Sequence, residues 1–157
     1  MIITWHCQPF HSLSVAVLYD ILKLRSEVFV MEQNCVFLDL DDLDKQENTQ
    51  HLYALSEGKV VAYARLLAEG ESYPDHTSIG RVVVAASHRK EKLGHILMHH
   101  ALGEITKRWP NYPIKIGAQS HLERFYQAHG FNVISEPYME DGIEHYTMLN
   151  NSLLGVN

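Results

Sequence analysis

A short basic segment, residues 87–94, holds the residue types in this 157-residue chain that most readily suggest chemistry. It carries Arg89, Lys90 and Lys92, follows an apolar run at residues 79–85, and precedes apolar residues at helical spacing. The first turn of a helix has unpaired N–H groups and the positive end of the helix dipole, so it can hold a phosphate. The glycine spacing of Walker A and Rossmann motifs is absent. The residues alone leave two interpretations equal: a phosphate site, or an ordinary helix start with solvated lysines.

Three arginines interrupt apolar patterns and therefore need partners. Arg25 lies on the apolar stripe of a predicted helix, while Arg65 and Arg81 interrupt strand-like runs, which could place them along a cleft. A buried guanidinium is costly unless it is paired. For Arg25 two roles are equally favoured: a tie between its helix and the acidic residues 39–44, or a contact to substrate.

Two patterns resemble metal sites but are interpreted otherwise. The acidic residues 39–44 lack the spacing of an EF-hand calcium loop, so we expect a solvated loop there. His95 with His99, and His100 with Glu104, are spaced to share a helix face, yet the sequence supplies no third ligand in reach. We therefore expect no metal, and a metal-binding protein organised by its histidines is the weakest hypothesis.

Strand-like and helical segments that must position these residues alternate along the chain. Helices are predicted at residues 14–31, at 93–105 before Pro110, and around 122–126 with Gly130 in a C′ position. Strands are predicted at residues 2–7, 52–56, 60–67, 79–85, 114–118, 131–134 and 143–149. This order predicts a mixed α/β (α+β) fold with helices covering a largely antiparallel sheet. Without linkers or repeats, residues 1–150 are expected to form one domain, followed by a tail at residues 151–157.

Composition narrows the class of protein. With 46% hydrophobic residues and a length that can bury about two-thirds of the unfolded surface, the chain is expected to be globular. It has no apolar stretch near the roughly 20 residues of a membrane span, and its N-terminus lacks signal-peptide regions. The two cysteines, Cys7 and Cys35, show no paired spacing, so a cytoplasmic location is expected. A formal charge of −6 disfavours nucleic acid and anionic membranes as partners and favours a cationic amine.

Residues 84–97 resemble the acetyl-CoA motif of the GNAT superfamily of N-acetyltransferases, which reads Arg/Gln-x-x-Gly-x-Gly/Ala after a strand. Arg89 and Gly94 match its outer positions, and Lys92 replaces the first glycine. Residues 119–131 resemble the family's Asn-x-x-Ala-x-x-Phe-Tyr-x-x-x-Gly-Phe segment, with Gln119 and Leu122 as departures. Both departures point to the ElaA-like branch of the family. The resemblance to that branch extends to residues 25–35, 80–82, 117–119 and 140–145. These similar segments follow the family's order and span nearly the whole chain.

The resemblance implies a GNAT fold whose central sheet is splayed between the strand at residues 82–84 and the strand at residues 114–118. Acetyl-CoA, the co-substrate, would enter this gap, pair with the backbone of the first strand, and place its pyrophosphate on N–H groups of residues 90–95. Lys92 in place of the glycine is compatible with this site if its φ is ordinary and its side chain points outward, and it would be a problem only if a positive φ were required there. The residues implied in cofactor binding are Val82, Val83, Val84, Arg89, Lys90, Glu91, Lys92, Leu93, Gly94, His95, Gln119 and Phe125.

Tyr126 is the catalytic residue that the resemblance implies. A phenol with a pKa near 10 is protonated at neutral pH, so it can protonate the departing CoA thiolate; the alternative is a core tyrosine with a bonded hydroxyl. A backbone N–H near Val83 would stabilise the oxyanion. The general base is left open among Glu32, His51, His145 and the acidic loop. The acceptor-site candidates are Arg25, Phe29, Glu32, Gln33, Arg65, Arg81 and His145.

The expected activity is transfer of the acetyl group of acetyl-CoA directly to a small-molecule or peptide amine within a ternary complex. Two rivals keep the same fold: a catalytically silent acyl-CoA-binding regulatory module, and an enzyme similar to acyl-homoserine lactone synthases, which share an Arg-x-x-Val-Phe segment. The identity of the acceptor and the oligomeric state, a homodimer included, stay open.

Overall fold

The computed structural model describes residues 2–152, apart from the side chain of Glu91. The last residues of the expected tail, 153–157, lie outside the described part. Three α-helices are formed, α1 (Val15–Arg25), α2 (Leu93–Arg108) and α3 (Glu123–Gln127). The strands are β1 (Ile3–Pro9), β2 (Gln50–Ser56), β3 (Lys59–Leu67), β4 (Ser78–Val84), β5 (Ile114–Gln119), β6 (Asn132–Val133), β7 (Tyr138–Glu140) and β8 (Ile143–Asn150).

Two four-stranded antiparallel sheets make up the fold. The first has the order β1-β2-β3-β4; the second has the order β5-β8-β6, with β7 also paired to β8. Within residues 2–152, backbone hydrogen bonds join the two sheets only where β4 and β5 begin, from Thr77 N–H to the Pro113 carbonyl (3.0 Å) and from Lys115 N–H to the Thr77 carbonyl (2.9 Å). The predicted mixed fold with a splayed, largely antiparallel sheet is therefore confirmed.

Helices cover both faces of the first sheet, which explains why β3 is buried along nearly its whole length. Ala62 and Ala64 pack in a large core with Leu97 and Met98 of α2. On the opposite face, Tyr63 packs in a smaller core with residues of α1 such as Ile21. Small alanines on one face and tyrosine on the other let the two helices lie close to a single strand.

The first helix changes its winding in the middle of the predicted run 14–31. Ser14 caps α1 by accepting a hydrogen bond from Val17 N–H at 3.1 Å. After Arg25 the chain continues as a π-helix, Ser26–Glu32, ending with Gln33 N–H donating to the Val28 carbonyl at 2.9 Å. The prediction of one regular helix is wrong here, because apolar spacing does not distinguish α from π winding, and π turns are frequent at functional sites.

Other boundaries follow local chemistry. The helix α2 ends at Arg108, before Pro110, as predicted. Gly130 has a φ of 92°, and the bonds from Gly130 N–H to Gln127 and from Phe131 N–H to Tyr126 form the Schellman pattern expected of a C′ glycine. The strand predicted at 131–134 is limited to Asn132–Val133, and β7 was not predicted. Within residues 2–152, none of the helices combines the length and apolar character needed to cross a membrane.

Candidate active site

The gap between β4 and β5 widens from the point where the two strands meet. In the described residues, hydrogen bonds join these strands only around Thr77, so the edge of β4 that faces β5 is open further along. A cavity of about 480 Å³ lies in this gap. An open strand edge of this kind can pair with an extended ligand as an added strand would.

A bulge bends β4 beside the cavity. Tyr63 pairs with Val83 and Arg65 pairs with Gly80, so two residues of β4, Arg81 and Val82, lie opposite the single residue Ala64 of β3. Arg81 takes the strained position with a φ of 51°. The bulge directs Val82 to the cavity wall, while Val83 remains buried in the core against α1.

A 3-10 helix, Ala86–Glu91, connects β4 to α2 and carries the basic segment. Arg89, Lys90 and Lys92 are exposed there, as a phosphate-binding role would require. Lys92 has a φ of 56° and a ψ of 25°, so the condition of an ordinary φ is not met. A left-handed backbone favours glycine, and here a lysine adopts it.

Arg89 does not extend freely into solvent. Its Nε donates to the Val84 carbonyl at 3.1 Å, and its Nη1 lies 2.7 Å from Oε2 of Glu32 at the end of the π-helix. Both side chains of this ion pair are about two-fifths exposed, so the pair is screened and can exchange Glu32 for another anion. Glu32 therefore makes the helix-end ion pair and lies outside the cavity lining.

The start of α2 packs on α3 through a close contact. A Cβ at Gly94 would lie 3.4 Å from the Phe125 ring, so this position requires a small residue. Leu93 is buried in the main core, and His95 Nδ1 lies 2.8 Å from His129 Nε2 beside the same ring. Phe125 thus fixes the start of α2 near the open end of β4.

Tyr126 lies on the inner side of α3, 7% exposed, and lines the cavity. Its ring makes edge-to-face contacts with Phe125 and Phe131. Its hydroxyl makes no hydrogen bond to any residue in the range 2–152. Burial raises the pKa of Tyr126 to about 12. The arrangement is a rigid, protonated phenol directed at the cavity, rather than a core tyrosine with a bonded hydroxyl.

Gln119 at the end of β5 bridges the gap to the π-helix. Its Nε2 donates to Oε1 of Gln33 at 3.2 Å, and both side chains line the cavity. Phe29 of the same π-helix lines the cavity as well. The bridge therefore joins the side predicted for the cofactor to the side predicted for the acceptor.

A cluster of paired charges supports one side of the cavity. Each guanidinium contacts at least two carboxylates, at distances from 2.7 to 3.4 Å. We call it the Arg–Asp cluster, and its members are Arg25, Arg65, Arg81, Asp39, Asp41 and Asp44.

Arg25 is the buried centre of this cluster. Its side chain is 0% exposed, and it donates to Asp39 Oδ2 and Asp44 Oδ1, both at 2.8 Å. It does not line the cavity, so the structure corrects its placement at the acceptor site and favours the tie between helix and loop. Burial acts to raise the pKa of Asp44, but the hydrogen bond and charge of Arg25 outweigh it, so that pKa lies below its usual range.

The acidic loop 39–44 is not the solvated loop that was expected. Asp44 is 6% exposed, and Asp41 receives two hydrogen bonds from Arg65, at 2.7 and 2.9 Å. Arg65 and Arg81 do line the cavity, as predicted, although their charges are directed at aspartates. The carboxylates of the cluster are therefore engaged and cannot serve as a free base.

His51 is a buried neutral histidine. It is 1% exposed, its Nε2 donates to the Asp44 carbonyl at 2.9 Å, and its Nδ1 accepts from the Tyr63 hydroxyl at 2.7 Å. Burial lowers the pKa of His51. With both ring nitrogens occupied, His51 is removed from the candidates for the base.

His145 on β8 faces the cavity with one nitrogen available. Nδ1 lies 2.7 Å from the Ile143 carbonyl and must donate to it, so a neutral ring carries its lone pair on Nε2. Glu140 Oε2 lies 3.5 Å from Nε2, and Tyr138 stacks on the ring at 5.8 Å. These contacts hold one tautomer and one orientation, which a general base requires.

Sequence reasoning missed several residues of the cavity wall. Cys35 donates to the Asp141 carbonyl at 3.5 Å, and Phe37 and Tyr73 lie in irregular segments whose pattern gives no signal. A Cβ at Gly117 would lie only 2.9 Å from the Tyr138 hydroxyl, so this glycine lets tyrosines approach the β5 backbone. Glu140 and Asp141 belong to a segment that carried the family resemblance, but their carboxylates were not recognised as part of the site. Among residues 2–152 there is no group of three potential metal ligands.

The fold and this site define the class: the chain belongs to the GNAT acetyltransferase family, whose acetyltransferase (GNAT) domain matches residues 30–150. It is 42% identical to protein ElaA of Escherichia coli over 146 residues, 93% of this chain and 95% of ElaA. The crystal structure of that protein covers 96% of this chain and all of its own, with a TM-score of 0.89.

Two further solved structures are similar. An acyl-CoA N-acyltransferase from Pseudomonas aeruginosa is 38% identical, has a TM-score of 0.90, and covers 95% of this chain and 99% of its own. A CoA-dependent acyl-homoserine lactone synthase has a TM-score of 0.76 at 18% identity, covering 99% of this chain and 87% of its own, and shares the fold alone. The ElaA-like resemblance is confirmed, and the chain has the fold of an acyl-CoA-dependent acyltransferase.

Proposed function

We propose that the protein is an N-acetyltransferase that moves the acetyl group of acetyl-CoA directly to an amine. The observation that carries this proposal is the Tyr126 hydroxyl, which is protonated, free of partners in the described residues, and directed at the cavity between β4 and β5. A proton donor held in that gap is suited to a reaction whose leaving group is a thiolate.

Acyl-CoA is suited to the surfaces on either side of the gap. The open edge of β4 can pair with the amide groups of the pantetheine arm as an added strand. At the end of that edge, α2 begins directly after Lys92, close in sequence to the exposed Arg89 and Lys90, and a helix start among cationic side chains favours a pyrophosphate. Arg89 is ion-paired with Glu32, and both side chains are partly exposed, so a phosphate can replace the Glu32 carboxylate.

His145 is the general base in this proposal. Among the candidates, Glu32 is paired with Arg89, His51 is buried with both nitrogens bonded, and the cluster aspartates face arginines. His145 combines a cavity position with an Nε2 that can accept a proton. Glu140, 3.5 Å away, would stabilise the charged ring that results.

The proposed reaction balances with these two groups. His145 Nε2 takes a proton from the acceptor ammonium, and the freed nitrogen lone pair attacks the thioester carbonyl carbon. A backbone N–H at the β4 bulge, near Val83, stabilises the negative charge on the carbonyl oxygen. The C–N bond forms, the C–S bond breaks, and Tyr126 donates its proton to the CoA sulfur. The amide nitrogen then gives its second proton to solvent, His145 releases the proton it took, and the Tyr126 phenolate regains a proton from solvent.

The direct test is CoA release from acetyl-CoA with a panel of primary amines, run on the wild-type protein, Tyr126→Phe, and the exposed-surface control Tyr19→Phe. We expect turnover with at least one amine, a fall of about 10²-fold in kcat for Tyr126→Phe at unchanged acetyl-CoA affinity, and wild-type rates for the control.

Acetyl-CoA binding without CoA release on any amine would support the silent regulatory module. Release only with S-adenosylmethionine would support lactone-synthase-like chemistry. Turnover unaffected by Tyr126→Phe would remove the tyrosine from its role.

A further inference from the structure

Arg65 carries a buried hydrogen-bond donor that the Arg–Asp cluster does not use. The residue is 3% exposed; its Nη1 and Nη2 donate to the Asp41 carboxylate, and Nη1 also donates to Asp44. Its Nε is shielded from solvent and makes no hydrogen bond to any residue in the range 2–152. A buried donor without an acceptor is costly, and more so in a charged group. A ligand oxygen that accepts from this N–H would remove that cost.

The Nε atoms of the other two arginines in the cluster are occupied. Arg25 Nε donates to Asp39 Oδ2 at 2.8 Å, and Arg81 Nε donates to Asp39 Oδ1 at 2.7 Å. Arg65 is therefore the member of the cluster whose Nε has no carboxylate among the described residues. The free donor is specific to this position, and is not a general property of the cluster.

Arg65 also belongs to the wall of the cavity between β4 and β5. It lines that cavity together with Leu67, which is two residues along on the same face of β3. Its partner in the sheet is Gly80, which precedes the β4 bulge, whereas the backbone proposed to bind the pantetheine arm follows at residues 82–84. Acetyl-CoA bound in that way leaves the Gly80 side of the bulge to the second substrate. Arg65 therefore lies on the side where the acceptor binds.

The charge of the cluster selects the kind of oxygen that suits this donor. Its three guanidiniums and three carboxylates balance, so the cluster adds no net charge to the wall. A ligand carboxylate at Arg65 would bring a fourth negative charge beside Asp41, in a cavity that Glu140 and Asp141 also line. Uncompensated buried charges and like-charge contacts are strongly disfavoured. A neutral carbonyl oxygen accepts the same hydrogen bond without adding charge.

From this arrangement, and resting on the acetyltransferase function proposed above, we infer that Arg65 determines which acceptors bind, by donating its Nε–H to an amide carbonyl oxygen of the acceptor. The acceptors are then amines that also carry an amide, such as peptides and amino amides. A simple alkylamine leaves the buried donor unpaired, and a free amino acid brings a carboxylate in its place. Sites built to hydrogen-bond a substrate group reject analogues that lack it.

Three amino amides test this class, with one to three methylene groups between nitrogen and carbonyl: glycinamide, β-alaninamide and 4-aminobutanamide. Each is compared with the branched alkylamine of the same shape, which is isobutylamine, 3-methylbutylamine or 4-methylpentylamine. Each is also compared with its amino acid, which is glycine, β-alanine or 4-aminobutanoate. We expect the amide with the best spacing to have a kcat/KM at least about tenfold above both counterparts. An amino acid that is preferred to its amide would overturn the inference.

Arg65→Lys removes the donor and keeps the charge. Lysine has a methylene, Cε, where arginine has Nε, and its ammonium can still pair with Asp41 and Asp44. Because the compared amines differ in basicity, the deciding quantity is how the amide-to-alkylamine ratio of kcat/KM changes. We expect that ratio to fall at least about tenfold in Arg65→Lys, with acetyl-CoA affinity unchanged.

Arg25→Lys is the matched control, since it makes the same change in the same cluster at a residue that does not line the cavity. It should keep the wild-type ratio. A ratio that is unchanged in Arg65→Lys, or that falls equally in both variants, would overturn the inference. A loss of acetyl-CoA affinity in Arg65→Lys alone, with the ratio unchanged, would assign the donor to the cofactor and would overturn it as well.

Two binding measurements on the CoA-saturated wild-type protein separate this inference from the proposed function. Calorimetry compares the affinities of each amide and its alkylamine, and the NMR signal of the Arg65 Nε–H, assigned through the side-chain carbons, reports the contact directly. Both remain available if Arg65→Lys does not fold. Tighter binding of the amide with a shifted signal, but no acetylation, would support the inference and contradict the acetyltransferase proposal. Equal affinities and an unshifted signal would overturn the inference even if amines are acetylated.

Discussion

The Nε2 atom of His145 lies 3.5 Å from the Glu140 carboxylate, while Nδ1 of the same ring lies 2.7 Å from the Ile143 carbonyl. The backbone carbonyl can only accept, so it fixes the proton of a neutral ring on Nδ1. Nε2 is then the atom that can take a proton, and His145 and Tyr126 both line the same cavity. The base and the acid that we propose thus lie on β8 and α3, on the wall of one cavity.

Replacing His145 tests the base directly. We expect His145→Gln to lower kcat by about 10² to 10³-fold, since no imidazole remains to take the proton of the acceptor ammonium. Glu140→Gln should lower kcat less, because it leaves the imidazole and removes only a stabilising charge. Steady-state kcat of the three proteins is the measurement, and an unchanged kcat in His145→Gln would assign the base elsewhere.

The left-handed lysine at the start of α2 leads to a second prediction. At φ 56°, Lys92→Gly should remove backbone strain and raise the free energy of unfolding by up to about 1 kcal/mol. The same change removes a positive charge beside the pyrophosphate, so acyl-CoA should bind more weakly. Lys90→Gly lies inside the 3-10 helix and should instead destabilise by about 0.5–1 kcal/mol. Urea unfolding measures both, and equal destabilisation by the two glycines would contradict the strain argument.

Arg25 should be the most sensitive charged position for stability. Arg25→Met leaves the buried carboxylates of Asp39 and Asp44 without their central partner, and we expect a loss of about 3–5 kcal/mol. Arg108→Met breaks the partly exposed i,i+4 pair with Glu104 and should cost about 0.5 kcal/mol or less. Urea unfolding of both variants measures the difference. If Arg25→Met does not fold, Arg25→Lys, which keeps the charge, is expected to fold with intermediate stability. Similar losses for Arg25→Met and Arg108→Met would contradict a buried cluster.

The buried His51 leads to a prediction of how the free energy of unfolding depends on pH. Burial lowers its pKa in the folded protein, whereas the unfolded chain has an ordinary value near 6.5. Between these values the unfolded state binds more protons, so stability is complete above about pH 6.5 and falls as the pH decreases. His51→Gln, whose amide nitrogen can replace the Nε2 donor, should make this slope shallower by up to about 1.4 kcal/mol per pH unit. Thermal unfolding across this range measures it, with the exposed His11→Gln as control. An unchanged slope in His51→Gln would show that other groups cause the acid sensitivity.

Features with a local cause were predictable from the sequence. The Schellman end of α3 was expected from Gly130, and the end of α2 from Pro110. The ElaA-like pattern led to Tyr126 and to the splayed strands, because that resemblance extends through both strands and α3. The catalytic role of Tyr126 and the cofactor-binding role of the splayed strands remain predictions.

Features that depend on contacts distant in sequence were not predictable. The acidic loop 39–44 looks solvated by composition, but Arg25, Arg65 and Arg81 come from three other elements and bind its carboxylates at Asp39, Asp41 and Asp44. Tyr73 lies in an irregular loop whose pattern gives no signal, and the Tyr138 hydroxyl approaches β5 closely because Gly117 leaves space for it. Lys92 adopts a left-handed backbone although a lysine gives no local signal for it.

Direct transfer requires that the acetyl group passes from acetyl-CoA to an amine across the gap between β4 and β5 without first binding to the protein. A quenched single turnover of the protein tests this, with acetyl-CoA and an amine that the panel identifies as an acceptor, and with both the amine and the intact protein analysed by mass spectrometry. We expect the amine to gain one acetyl group at the rate of CoA release, while Tyr126 and the rest of the chain stay unmodified. Acetyl label on the protein before it reaches the amine, or CoA release that yields only free acetate, would contradict direct transfer.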